Sequence, residues 1–298
     1  GQEYTNTTYK LAKMNLAIRG ITCNLGEQAA DTFHRDQHPD LKADFILANP
    51  PFNQKAWRGA NELVDDPRWM GFPSPPTSNA NYGWILNILS KLSHSGTAAF
   101  LLANGALSGD GTEQEIRKEL IQQGVVEAII LLPRNMFYST DISVTLWILA
   151  RDRSARTAQQ NGRTIRYRER REETLFIDLR QVGEPFEKKY IQFSDEQIAS
   201  IAATYHAWQR ADYDQPYADI PEYCYSATRA EITAKDYSLV PSKYISFASR
   251  DEAVDFATEM QTIQSELSTL MEQEAKNTVA LGALFAELGF PLNTSADA

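Results

Sequence analysis

Apolar residues along the chain follow two spacings, one typical of helices and one typical of buried strands. They recur every three or four positions within 8–18 and 82–92, which predicts helices that each carry one apolar stripe. A third helix is predicted at 113–122, after a glycine cluster. Short apolar runs predict strands at 44–48, 97–102, 125–132, 142–150 and 174–179. Together these elements predict an α/β fold.

The C-terminal part of the chain predicts helices. Ser194-Asp195-Glu196-Gln197 is a capping sequence for a helix that runs to about residue 209. Further along, apolar residues take alternating steps of four and three, with Glu274 and Asn277 at two of the steps. The apolar members of this seam are Phe256, Met260, Ile263, Leu267, Leu270, Leu281, Leu284 and Leu288. One such seam cannot bury itself, so it predicts contact with another helix of this chain or of a partner.

One stretch, Asn49-Pro50-Pro51-Phe52, ends the strand predicted at 44–48. Because proline has no N–H, the two prolines form a rigid corner at the carboxyl end of the strand, where open α/β sheets bind ligands. Asn49 offers a side-chain carbonyl there, Pro50 offers its backbone carbonyl, and Phe52 offers a flat apolar ring. Two acceptors beside an aromatic ring suit a planar ring that carries an exocyclic amine. A structural turn with a capping Asn is the alternative.

The tetrapeptide resembles the catalytic motif of the amino-methyltransferases, which methylate exocyclic amines of bases with S-adenosylmethionine. The order of four segments is more specific and resembles the modification subunit of type I restriction–modification systems. These segments are Gly1-Gln2-Glu3, Met14-Asn15-Leu16, Ala30-Asp31-Thr32-Phe33 and Asn49-Pro50-Pro51-Phe52. The resemblance extends from Gly1 to about Tyr244 and implies a Rossmann-like methyltransferase sheet.

The resemblance also implies a cofactor site. Glu3 would accept hydrogen bonds from the ribose hydroxyls of S-adenosylmethionine, Asp31 would accept one from its adenine amine, and Asn49 would lie beside it. The glycine-rich loop and first strand of the family would precede Gly1, and this sequence has no G-x-G-x-x-G. We therefore expect the numbering to begin inside a larger protein.

The connection between the runs at 125–132 and 142–150 contains an aromatic pair, Phe137 and Tyr138. The resemblance implies an antiparallel hairpin here, with Phe137 at the position of the family's aromatic residue. Opposite Phe52, Phe137 would form the second wall of a slot for a flipped base. Tyr138 is the rival for this role, and a loop anchor packed on the core is the structural alternative.

The composition and net charge of the chain limit which partners it can bind. The chain has 298 residues and a formal net charge of −10, whereas DNA-binding surfaces are usually basic. The eight arginines between 151 and 171 are the best candidates for phosphate contact, although such charge runs are usually solvated loops. Two distant cysteines fit a reducing cytoplasm without a zinc cluster, and no apolar run is long enough for a membrane span.

These observations predict a partial methyltransferase domain at 1–190, a linker region at 191–249 and a coiled-coil-like helical unit at 250–298. The expected function is methyl transfer to the N6 amine of adenine in DNA, without a metal. The expected partners are DNA, a specificity subunit and a second copy of this chain, with a restriction subunit as a further candidate. An RNA or protein methyltransferase, or a non-catalytic scaffold, remains an alternative.

Overall fold

The computed structural model describes residues 1–138, 141–160, 162–187, 189–247 and 256–290. Ser139 and Thr140 of the predicted connection, residues 248–255 and the side chain of Phe256 lie outside this description. One compact unit is Gly1–Phe247, and a second contains the C-terminal helix.

The first unit combines helices with a mixed six-stranded sheet, which confirms the α/β class. The helices are α1 (Asn6–Ile18), α2 (Asn81–Lys91), α3 (Thr112–Gln122), α4 (Asp195–Gln209) and α5 (Arg229–Ala234). The strands are β1 (Ala43–Ala48), β2 (Leu92–Ala103), β3 (Val126–Leu131), β4 (Val144–Ala150), β5 (Arg156–Gln160), β6 (Arg163–Tyr167), β7 (Glu173–Asp178), β8 (Glu184–Phe186), β9 (Tyr190–Gln192) and β10 (Cys224–Thr228). The second unit contains α6 (Phe256–Glu287).

The main sheet has the strand order β1-β2-β4-β3-β7-β10. β1 and β2 are parallel, as are β3 and β7, whereas β4 is antiparallel to both β2 and β3. The carboxyl ends of β1, β2, β3 and β7 therefore lie at one edge of the sheet, and the segments that follow these strands meet there. The predicted antiparallel pairing of the runs at 125–132 and 142–150 is confirmed.

Both faces of this sheet are covered in its centre. Alternate residues of β3 enter two different apolar clusters, Ile129 on one face and Ile130 on the other. The Ile129 cluster includes the buried faces of α2 and α3, whereas the Ile130 cluster includes Trp208 of α4. Burial on both faces explains why β3 and β4 are mostly apolar, with Glu127 and Thr145 as their polar residues.

The strand predicted at 44–48 forms, but the prediction that it is buried is wrong. β1 is an edge strand that pairs only with β2 in the described part of the chain. Ile46 and Ala48 pack against the core, but Phe45 and Leu47 are 74% and 86% exposed. A continuous apolar run indicates that both faces favour burial, but it does not reveal what covers the second face.

The same limit applies to the first predicted helix. α1 forms as expected and begins after Thr5, whose side chain accepts a hydrogen bond from the Thr8 N–H. Its apolar stripe, however, is exposed at Leu11, Met14 and Ile18. Spacing therefore predicts the helix and its apolar face without identifying the surface on which that face packs.

Residues 191–247, expected as a separate linker region, belong to the first compact unit. β10 pairs with β7 and extends the main sheet, and Trp208 of α4 is fully buried against it. The predicted capping sequence forms a capping box, in which Ser194 and Gln197 bond each other's backbone N–H groups.

Candidate active site

Asn49 and Pro50 follow β1 at the edge of the sheet where four strands have their carboxyl ends. Asn49 is exposed and Pro50 is buried. Among the described residues, neither the Asn49 side chain nor the Pro50 carbonyl has a hydrogen-bond partner. The corner therefore keeps two acceptors available to a bound group, which a purely structural capping Asn would not do.

Phe52 and Phe137 pack against one apolar cluster, although they lie on different segments of the chain. Both rings are half-buried. The rival residue, Tyr138, is 71% exposed, and its ring centroid lies 4.6 Å from that of Tyr190. Phe137 is thus anchored on the same cluster as Phe52, whereas Tyr138 faces outward beside the β8–β9 hairpin.

The two acids expected at the cofactor lie on neighbouring segments. The N–H of Ala30, which precedes Asp31, donates to the backbone carbonyl of Glu3 at 2.8 Å. In the described part of the chain, the Glu3 carboxylate makes no hydrogen bond or salt bridge. Asp31 Oδ1 accepts from the N–H groups of Phe33 and His34 at 2.7 and 3.0 Å, which leaves Oδ2 unpaired among these residues.

This pair of acids fits the adenosine part of S-adenosylmethionine. A vicinal diol and an exocyclic amine both present hydrogen-bond donors, and carboxylates are acceptors. The turn that begins at Asp31 is fixed by its own Oδ1, so Oδ2 is held in position by the backbone. Such a ligand requires acceptors for its donor groups, and these two adjoining segments provide free carboxylate acceptors.

The loop between Phe52 and α2 is anchored at its centre by buried aromatic residues. Trp57 and Trp69 are 3% and 2% exposed. Arg68 forms a salt bridge with Asp66 at 2.7 Å and donates to the carbonyl of Thr32 at 2.7 Å. The packed centre of this loop therefore holds the turn at Asp31 in place.

A polar cluster that the sequence does not predict adjoins the motif. Asn53 has a left-handed φ of 51° directly after Phe52, and its side chain bonds Asn79 and Asn81 at the start of α2. The one available signal was the Asn79-Ala80-Asn81 sequence before a helix, which resembles an ordinary cap. Nothing in the spacing indicates that these amides bond a residue 28 positions earlier.

Two of the eight arginines in the arginine-rich segment belong to the core. Arg153 and Arg170 are each 1% exposed and lie 3.7 Å from the buried Glu127 carboxylate. Arg168 pairs with Glu173 at 2.8 Å. The prediction of phosphate contact is therefore wrong for Arg153 and Arg170, because a buried guanidinium cannot reach DNA. Spacing cannot separate a buried arginine from a solvated one.

Within the ranges that the structure describes, no group of three or more His, Cys, Asp and Glu side chains could hold a metal ion. No helix in the same ranges is long and apolar enough to cross a membrane.

An α/β sheet with amide, carbonyl and aromatic groups at its carboxyl edge is the arrangement found in methyltransferases that act on amines. The chain belongs to the N-6 DNA methylase family, whose model matches residues 1–253. It is 40% identical to the type I restriction enzyme HindI methylase subunit of Haemophilus influenzae, over 97% of this chain and 60% of that protein. It is 30% identical to the MjaIX methylase subunit of Methanocaldococcus jannaschii, over 97% of this chain and 50% of that protein. The chain thus spans 50% to 60% of these relatives.

Solved structures give the same fold. The type I restriction-modification system methyltransferase subunit from Streptococcus thermophilus matches with a TM-score of 0.70 and 28% identity, over 83% of this chain and 48% of that one. The EcoKI M protein matches with a TM-score of 0.60 and 20% identity, over 92% of this chain and 59% of that one. The second likeness concerns the fold alone.

Proposed function

We propose that this chain transfers a methyl group from S-adenosylmethionine to the N6 amine of adenine in DNA, as the modification subunit of a type I restriction–modification complex. One observation carries the proposal: Asn49 and the Pro50 carbonyl are unpaired acceptors beside Phe52 at the carboxyl edge of the sheet. Family membership and the names of the two relatives support the choice of DNA and of adenine.

The two acceptors suit the chemistry of the adenine amine. This nitrogen is a poor nucleophile because its lone pair is delocalised into the ring. Hydrogen bonds from its two hydrogens to Asn49 Oδ1 and the Pro50 carbonyl favour a pyramidal nitrogen and stabilise the positive charge that develops there. The face of Phe52 adds stacking and attraction to that charge. Pro51 keeps the corner rigid, which holds the acceptors in place.

Glu3 and Asp31 would hold the cofactor through its ribose hydroxyls and its adenine amine. When bound, S-adenosylmethionine would supply a methyl group from its sulfonium sulfur, which would leave as a neutral thioether while the proton of the methylated amine passes to solvent. The task of the protein is therefore alignment, for which well-placed binding groups are sufficient. No strong base is needed beside the amine, in agreement with an asparagine rather than a carboxylate at position 49.

The proposed target base lies between Phe52 and Phe137. Both rings are anchored on one apolar cluster, so a slot between them would be rigid. Tyr138 already contacts Tyr190, which leaves Phe137 as the better stacking residue.

Replacing Phe137 with Ala is expected to weaken binding to target DNA by about 1–3 kcal/mol, the value of one lost base stack. Replacement with Trp should restore most of the affinity, and Tyr138→Ala serves as the control with little effect. A fluorescent adenine analogue at the target position reports the flipped base. Equal emission from the wild type and Phe137→Ala would show that Phe137 is only a core anchor.

The proposed partners are a specificity subunit, a second copy of this chain and a restriction subunit. α6 carries an apolar seam whose described members are each at least 47% exposed, among them Met260, Ile263, Leu267 and Leu270. The net charge of −10 is unfavourable for binding DNA without help. A partner that packs on α6 and reads DNA would meet both requirements.

The double variant Leu267→Asp with Leu270→Asp is expected to lower affinity for the specificity subunit roughly a hundredfold or more, because single interface hot spots contribute about 2 kcal/mol or more. The matched control adds the same charge off the seam, with Ser265→Asp and Ser268→Asp. Co-purification and sequence-specific DNA binding are measured. Equal behaviour of the two double variants would exclude the seam as the docking surface.

The function is tested by incubating the protein, purified with its associated subunits, with S-adenosylmethionine labelled in the methyl group. DNA, RNA and protein substrates are offered separately. We expect label in DNA alone. Label in RNA or protein would favour those alternatives, and cofactor binding by calorimetry without any transfer would favour a scaffold.

A further inference from the structure

The segment that leaves the motif has an unusual backbone. Asn53, the residue after Phe52, has φ of 51°, in the left-handed region that few residues other than glycine adopt. Asparagine tolerates this region better than most residues because its short side chain can form local hydrogen bonds. A left-handed residue persists where its surroundings determine it, so the contacts of Asn53 show what holds the end of the motif.

Asn81, the first residue of α2, is bonded twice to Asn53. Its Oδ1 accepts from the Asn53 N–H at 3.0 Å, and its Nδ2 donates to Asn53 Oδ1 at 2.9 Å. Asn81 is only 1% exposed. Asn79 orients this amide, because its Oδ1 accepts from the Asn81 N–H at 2.9 Å and its Nδ2 donates to Asn53 Oδ1 at 3.3 Å.

The anchor is rigid because α2 is packed into the core. Ile85, Leu86 and Leu89 on this helix are at most 2% exposed. The next residue of the loop is tied to the same helix start. The N–H of Ala80 donates to the Gln54 carbonyl at 3.0 Å. The chain is therefore held at two consecutive residues after the motif.

We propose that Asn81 is a positioning residue for the methyl-transfer site, an inference that rests on the proposed function. The motif is fixed at one end by β1, and its prolines restrict φ at positions 50 and 51 and bias the residue before each proline towards an extended conformation. The ψ angle of Pro51 and both angles of Phe52 need a second fixed point, and the Asn81 amide supplies it at the Asn53 N–H. Asn81 touches no reacting atom. It acts through the peptide that follows Phe52, and so determines where the Pro50 carbonyl and the Phe52 ring lie.

The test compares two buried asparagines on the same helix. Asn81→Leu removes both bonds to Asn53, whereas Asn87→Leu removes a side chain that accepts from Arg68 at 3.3 Å and makes no contact with the motif. Asn81→Asp is the conservative variant: its carboxylate still accepts from the Asn53 N–H, the bond on which the proposal rests, while Asn53 Oδ1 keeps its bond from Asn79 Nδ2. All are made in the protein purified with its associated subunits.

We expect Asn81→Leu to lower kcat by about 10²-fold, the loss that a misplacement of about 1 Å can cause. Cofactor affinity should change less than twofold, and Asn81→Asp should recover most of kcat. Asn87→Leu should destabilise the fold without this loss of kcat. Equal kcat in the two Leu variants, or an equal change in cofactor affinity and kcat for Asn81→Leu, would overturn the proposal.

A second readout does not depend on methyl transfer. Hydrogen exchange is followed on the peptide 49–56. Because its two prolines carry no N–H, the Asn53 amide is one of the few backbone amides in this peptide that can exchange. We expect faster exchange in Asn81→Leu than in Asn87→Leu or the wild type. Unchanged exchange would overturn the anchor even in an active enzyme. Faster exchange in a protein whose wild type transfers no methyl group would mean that the proposed function fails while the anchor stands.

Discussion

Replacing Asn49 with Ala is expected to lower the rate of adenine methylation by about 10²–10³-fold, the usual loss when one polar group that stabilises developing charge is removed. The reason is that Asn49 supplies one of the two unpaired acceptors at the end of β1. Cofactor affinity should hardly change, because the acids proposed to bind the cofactor are Glu3 and Asp31. Single-turnover methylation and calorimetry measure the two quantities.

A control for this variant is Asn15→Ala, which removes an exposed asparagine on α1. It should leave both the methylation rate and the cofactor affinity unchanged. A rate for Asn49→Ala within about tenfold of the wild-type rate would contradict the role of the Asn49 amide. Removing a group that stabilises developing charge is expected to lower the rate by considerably more.

The largest expected effect on stability comes from Glu127 on β3, which is fully buried. Its Oε1 accepts from the Tyr205 hydroxyl at 2.8 Å and from Gln209 Nε2 at 3.0 Å, which connects α4 to the sheet. The Nε atoms of Arg153 and Arg170 each lie 3.7 Å from its carboxylate. Burial lowers the pKa of Arg153 to about 10, so this guanidinium still carries its charge at neutral pH. Glu127 therefore compensates buried positive charge.

Glu127→Ala is expected to lower the free energy of unfolding by about 3–5 kcal/mol, the typical effect of breaking a buried ion pair from one side. The matched control is Glu172→Ala, which removes a pair with Arg229 at 2.8 Å from a carboxylate that is 67% exposed. An exposed pair contributes about 0–1 kcal/mol. Urea denaturation measures both variants. If Glu127→Ala and Glu172→Ala lower the free energy of unfolding equally, the buried charges are hydrated or unpaired.

The sequence predicts the centre of this fold well because there the local pattern and the tertiary environment agree. β3 and β4 are apolar except at Glu127 and Thr145, and they are buried on both faces. α4 begins at a capping box that is readable from four residues. In each case the physical cause lies within a few positions of the residue that it affects.

Prediction fails where the cause lies far away in the sequence. Phe45 and Leu47 are as apolar as most residues of β3, yet they are exposed because their face of β1 is uncovered among the described residues of the first unit. Arg153 and Arg170 belong to a run of charge that predicts a solvated segment, but Glu127 draws them into the core. Burial depends on neighbours in space, which spacing along one chain does not give.

The candidate site also contains parts that the sequence predicts and parts that it does not. The motif from Asn49 to Phe52 is readable because two prolines and an aromatic ring act locally. The contact of Asn81 with Asn53 spans 28 positions and uses residues common in loops. Long-range amide pairs leave no periodic signal, so their contribution appears only in the folded structure.

We infer that the acceptors at Asn49 and Pro50 receive the N6 amine of adenine. This role is tested most directly by mass spectrometry of the nucleosides from target DNA after incubation with S-adenosylmethionine and the protein with its associated subunits. We expect N6-methyladenine with the wild type and its loss with Asn49→Ala. Methyl groups found instead on the N4 amine of cytosine, or equal N6-methyladenine from both proteins, would contradict this role.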